Sequence, residues 1–79
     1  MPVHPHATKG VESRARILEV YRSHRDAGVA PPSLRDIAAA VGLSSTAVRT
    51  HQARLVNDGL LVRREFAGKA SITLAEEPR

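Results

Sequence analysis

The chain contains no cysteine in its 79 residues. That absence excludes disulfide staples and thiolate zinc sites, and it fits a reducing compartment, so a cytoplasmic location is expected. No apolar run approaches the ~20 residues that a bilayer crossing requires, and no membrane partner is expected. Residues 1–10 lack the apolar stretch of a secretory signal. No Gly-x-Ser-x-Gly or equivalent frames a nucleophile, and no glycine-rich loop is present to cradle a phosphate. His4-x-His6 offers two imidazoles but no third ligand or supporting shell, so no metal site is expected there. A chain this small has little room for an enclosed pocket. Neither catalysis nor a cofactor is expected.

What is present is globular in character. Hydrophobic residues make up 42% and charged residues 25% of the chain, within the range of a folded domain. The length allows one small domain with one modest core. Twelve Lys and Arg against eight Asp and Glu give a net charge of +4, which favours a polyanionic partner.

Residues 1–10, with Pro2, Pro5 and Gly10, read as a flexible tail, and residues 11–75 as the folded domain. A first helix is expected from about Glu12 to Ala27. Ala15, Leu18 and Tyr21/Arg22, with Ile17 alongside, recur at helical spacing, and Gly28 is a natural stop. The Pro31-Pro32 pair forces an extended connection. Ser33, with Asp36 three residues on, is close to a capping box at the start of a short helix over Leu34–Val41, which would bury Leu34, Ile37, Ala38 and Val41. Gly42 supplies the positive φ of a tight turn, and Leu43 returns to the core. Ser44 or Ser45 then caps a third helix to about Asn57, closed by Asp58-Gly59. From Leu60 the period becomes two: Leu60, Val62, Arg64 and Phe66 alternate with Leu61, Arg63 and Glu65. Ala67-Gly68-Lys69 can turn the chain into a second strand carrying Ile72 and Leu74. Residues 76–79 read as a frayed end. The expected class is mainly α (α+β): three helices followed by a two-stranded β-hairpin wing, a winged helix-turn-helix.

Small Ala38 at the helix crossing, Gly42 at the turn and Val48 as a plug between helices form a set with a common packing reason. In this class the later helix can enter the DNA major groove. Its exposed face should carry Ser45, Thr46, Arg49 and Thr50, with Ser44 and Ala47 at its start. Hydroxyls and helix N-terminal amides suit phosphate oxygens. Arg49 is the best base reader, because a guanidinium fork matches guanine O6 and N7. Arg54 lies within reach of a phosphate. Arg63, Arg64 and Lys69 cluster on the hairpin, where a wing meets the backbone or minor groove. Residues 42–70 carry net +3, against net +1 over the first helix, so most of the surplus sits around these positions. His51 reads as a partly buried structural histidine, and Gln52 stands at a core position with no evident partner.

At Pro31-Pro32-Ser33-Leu34-Arg35-Asp36-Ile37, and again at Ala40-Val41-Gly42-Leu43-Ser44-Ser45-Thr46, the chain resembles the amino-terminal DNA-binding domain of the LexA repressor family. His51, Leu55, Gly59 and the Arg63/Arg64 pair continue the similarity, which covers about residues 12–75. The resemblance implies a winged helix-turn-helix whose dimers bind palindromic operators, with readout through Ser45, Thr46, Ala47, Arg49 and Thr50. Three departures accompany it. The turn before the third helix is one residue shorter than the family's, and Gln52 replaces an expected leucine. The sequence ends at Arg79, so the family's self-cleaving Ser-Lys peptidase domain and dimer interface are expected to be missing, and damage-triggered self-cleavage is not carried over.

The expected function is sequence-specific binding of double-stranded DNA by a transcriptional regulator, most simply a repressor acting by occupancy. A homodimer or a protein partner in a larger complex would enlarge the limited interface of one module. The rival readings are a winged-helix protein-interaction module and a DNA-replication or recombination accessory protein.

Overall fold

The computed structural model describes residues 5–75, with side chains for residues 10–65 and 67–75. The expectations for residues 1–4 and 76–79, and the histidine pair at the amino terminus, lie outside the described residues or side chains. Three helices, α1 (Pro5–Ala27), α2 (Leu34–Val41) and α3 (Ser45–Asn57), precede two strands, β1 (Leu61–Phe66) and β2 (Lys69–Leu74). This is the winged helix-turn-helix architecture expected from the sequence.

The first element is longer than its apolar periodicity indicates. Helix α1 begins at Pro5, not near Glu12, so residues 5–10 are helical where a tail was expected. Proline is favoured at the first helical position, because its fixed φ suits the helix and its missing N–H would be unpaired there anyway. Gly10 inside the helix costs only about 1 kcal/mol relative to alanine. Ala15 is exposed, although spacing groups it with Leu18; the stripe covered by the other helices runs through Ile17, Leu18 and Tyr21.

Helix α2 opens on a complete capping box. The Ser33 hydroxyl accepts from the Asp36 amide at 3.1 Å, and the Asp36 carboxylate accepts from the Ser33 amide at 3.4 Å. It closes at Gly42, whose φ of 73° lies in the left-handed region, with the amides of Gly42 and Leu43 both donating to the Ala38 carbonyl. This bond pattern satisfies a carbonyl that the helix end would leave orphaned, and it turns the chain into the three-residue connection 42–44 that leads to α3. Helix α3 also closes at a left-handed glycine, Gly59, but with two carbonyls engaged: Gly59 N–H donates to Val56 O at 3.0 Å and Leu60 N–H to Leu55 O at 2.9 Å. That closure ties Leu60 to the helix end and leaves it 46% exposed, so the strand starts one residue later, with Leu61 only 1% exposed.

The core joins all three helices and the hairpin. Ile17, Leu18 and Tyr21 of α1 meet Ile37 and Val41 of α2, Val48 and Leu55 of α3 and Leu61 of β1. Leu34, Ala38, Leu43, Ile72 and Leu74 pack around this cluster, half-buried. In the antiparallel hairpin Leu61 opposes Leu74, Arg63 opposes Ile72 and Arg64 opposes Ser71. Side chains alternate between the two faces, so Leu61, Arg63, Ile72 and Leu74 share one face while Arg64, Ser71 and Thr73 share the other. Among the described residues, no helix is long and apolar enough to cross a membrane.

Candidate nucleic-acid interface

The α2–turn–α3 unit fixes how α3 is presented. Val48 and Leu55 are buried against the core, which turns Ser45, Thr46, Arg49, Thr50 and Ala53 outward, all exposed. Ala47 is half-buried. Ser44, rather than Ser45, is the N-cap: its hydroxyl accepts from the Ala47 amide at 3.1 Å. The amides of Ser45 and Thr46 have no partner within the helix, because the first helical turn always leaves its donors free. They point along the positive end of the helix dipole, a suitable place for an anion. Thr50 donates its hydroxyl hydrogen back to the Thr46 carbonyl at 3.1 Å, which leaves its oxygen lone pairs as acceptors toward a ligand.

The arginines predicted from sequence divide into two sets. Arg49 of α3 and Arg63 of β1 line one groove between α3 and the wing, together with Gln52, Ala53 and Ile72. Arg64, adjacent in sequence to Arg63, lines a different groove with Tyr21, Arg25 and Thr73. Strand alternation separates these neighbours. Arg54 is exposed and bonded to Asp58 at 3.4 Å, one helical turn on. Such an exposed pair is worth only a few tenths of a kcal/mol and is readily exchanged for a phosphate. Lys69 opens β2 beside the Ala67–Gly68 turn, at the tip of the hairpin. Among the described residues, no carboxylate pairs with Arg49, Arg63, Arg64 or Lys69.

Two neighbouring side chains support the interface without belonging to its exposed face. Gln52 is 6% exposed, and its amide donates to the Tyr21 hydroxyl at 2.8 Å. This polar tie holds α3 against α1 directly beneath Arg49. It explains the core glutamine that sequence spacing left unexplained: the only tyrosine sits in the α1 stripe, and a buried phenol needs a partner. Burial raises the Tyr21 pKa above the usual value near 10, and the Gln52 bond partly counters this. His51 is half-buried on the flank of α3, where desolvation and, secondarily, the positive Arg14 of α1 hold its pKa below 6.5.

A capped recognition-type helix, a three-residue turn at Gly42 behind it and a basic hairpin beside it define the winged helix-turn-helix class. Comparison with known proteins narrows this further. Residues 8–70 match the family described as LexA DNA binding domain, and the chain belongs to that family. It is 37% identical over 65 residues to the LexA repressor of Frankia alni, covering 81% of this chain and 26% of the relative. Over 49 residues it is 49% identical to the LexA repressor of Syntrophomonas wolfei, covering 61% of this chain and 24% of the relative. The chain thus spans about a quarter of the length of these relatives. No solved structure matches it significantly.

Proposed function

We propose that this domain binds double-stranded DNA and represses transcription by occupying its site, with α3 in the major groove and the wing on the flanking backbone. The observation that carries this reading is the shared groove of Arg49 and Arg63. One guanidinium on the recognition helix and one on the wing line the same opening. In this reading Arg49 reads bases, with Thr50 as an acceptor beside it. Ser45 and Thr46 hold a phosphate at the helix start, while Arg54, Arg63 and Lys69 neutralise further phosphates. Ser44 and Ala47 contribute by forming the cap, and Arg64 lies outside the DNA face.

The LexA relatives are repressors by name, and membership of the family makes repression the simplest biological use of such a head. Two copies on a palindromic site would supply the interface that one module lacks. The mechanism is exclusion of other proteins from the site and involves no chemistry by this domain.

The test is Arg49→Ala, measured by fluorescence anisotropy against duplexes enriched from a random-sequence library. Loss of a bidentate base contact should cost about 1–3 kcal/mol and flatten the preference at one base position. Unchanged affinity and unchanged preference would show that α3 does not read the groove through this residue.

A further inference from the structure

Helix α3 has a second flank, on the side away from the wing. Arg49, Ala53 and Val56 face the groove shared with the wing, and Val48, Gln52 and Leu55 are buried. Ala47, His51, Arg54 and Asp58, spaced at three and four residues, therefore share the opposite flank. His51 is half-buried there, one turn from Val48 and one from Leu55. Helix α1 brings a cation to the same place. Arg14 stands one turn before Leu18 and two before Tyr21, so it continues the stripe that α1 packs into the core, and it too is half-buried. Its guanidinium lies back along α1 over the bare backbone of Gly10, 3.3 Å from the point that a methyl group there would occupy. Arg14 is the charge whose field reaches His51. Arg54 and Asp58, the other charges on this flank, bond each other. Helix α2 carries its own two charges, Arg35 and Asp36, in its first turn, at the end away from α3, and Arg63 of the wing lies on the other side of α3. Among the described residues, neither Arg14 nor His51 makes a side-chain hydrogen bond or an ion pair. No buried side-chain nitrogen or oxygen among these residues lacks a partner, so the unbonded nitrogens of both groups reach solvent.

We infer that Arg14 and His51 form a second phosphate-binding position for duplex DNA, on the flank of α3 away from the wing. The inference rests on the DNA reading of α3. A helix with its side chains is about 10–12 Å across and the major groove about 12 Å wide, so both phosphate walls of the groove meet α3. The wing takes one wall, and the flank of His51 and Arg54 meets the other. Arg14 supplies a permanent charge, and its guanidinium, already held against α1, loses little freedom on binding. His51 supplies a ring N–H. Burial and the Arg14 charge keep the free ring neutral at pH 7, and a bound phosphate opposes both effects. Binding therefore draws a proton onto the ring as pH falls.

The experiment measures binding of the enriched duplex by the whole chain across a salt series at neutral pH, and follows the His51 ring nitrogens by NMR. Arg14→Ala should make the slope of log affinity against log salt shallower by about 0.9. Arg16→Ala, exposed on another side of α1, should leave the slope unchanged. His51→Phe keeps a ring and removes its donor, so it should weaken binding about tenfold or more with no change of slope. In the free domain Arg14→Ala should raise the His51 pKa, and in the original chain the bound duplex should raise it too. A His51 pKa that the duplex leaves unmoved would overturn the inference. So would equal effects of Arg14→Ala and Arg16→Ala, which would show only a general attraction of charge. If Arg14→Ala leaves the slope unchanged while Arg63→Ala still makes it shallower, this inference falls and the DNA reading stands. If Arg49→Ala and Arg63→Ala are silent as well, both fall.

Discussion

The bond between Gln52 and Tyr21 allows the fold to be tested where its sequence is least typical. Both side chains are buried, at 6% and 3% exposure, and their atoms meet at 2.8 Å. Gln52→Leu removes the donor and leaves a phenol oxygen in an apolar setting, which costs about 1–3 kcal/mol, offset in part by leucine's better transfer into the core. Tyr21→Phe strands the glutamine amide at comparable cost. Replacing both with apolar residues of similar shape removes the need for either partner and should be close to neutral. A double-mutant cycle followed by urea and thermal unfolding, using the helical circular dichroism signal, should therefore be non-additive by about 1–2 kcal/mol. For a domain of this size each kcal/mol corresponds to roughly 4–8 °C in Tm, so the single variants should melt visibly earlier than the double variant. Additive losses, with the double variant as unstable as the sum of the singles, would refute the claim that the two groups exist for each other. High pH provides a second reading of the same pair. Because burial raises the Tyr21 pKa, the neutral phenol is favoured in the folded state. The resulting stability is complete below the ordinary tyrosine value and is lost as pH rises through the folded value. Tyr21→Phe should abolish that alkaline loss.

Two other substitutions test neighbouring parts of the fold. Gly42→Ala should destabilise the domain by about 1–2 kcal/mol in urea unfolding, through the left-handed φ of 73° alone, because no heavy atom lies within 4 Å of the added methyl group. A neutral result would mean that the turn can relax. His51 has a depressed folded pKa, so its contribution is present above the unfolded value near 6.5 and is lost as pH falls through the folded value. Urea midpoints measured from neutral to acidic pH should decline less steeply in His51→Gln than in the original chain, and parallel curves would remove His51 as the cause.

Most of the architecture was legible because local signals agreed with one another. The Ser33–Asp36 box, Gly42 and the alternation after Leu60 each indicate one element, and the elements assemble in only one sensible order. The start of α1 was hidden because Pro5 and Gly10 discourage a helix when weighed by composition, although proline at a first turn does the opposite. The choice between Leu60 and Leu61 as the inward residue could not be made by period-two alternation, since both are leucine; the closure of α3 at Gly59 decides it. The face of α3 was readable from Val48 and Leu55 as buried anchors, which places Arg49 and Thr50 outward. The division of Arg63 from Arg64 needed the hairpin register. Gln52 was opaque because its reason lies 31 residues away, in Tyr21.

Binding to duplex DNA across a salt series, with the Arg63→Ala and Arg64→Ala variants side by side, addresses the central claim most directly. With Arg54, Arg63 and Lys69 each neutralising a phosphate, these three should contribute about −2.7 to the slope of log affinity against log salt. Arg63→Ala should make the slope shallower by about 0.9, whereas Arg64→Ala should leave it unchanged. Affinity insensitive to salt would contradict binding through the phosphate backbone. Equal effects of the two arginines would contradict the assignment of the α3–wing groove as the DNA face.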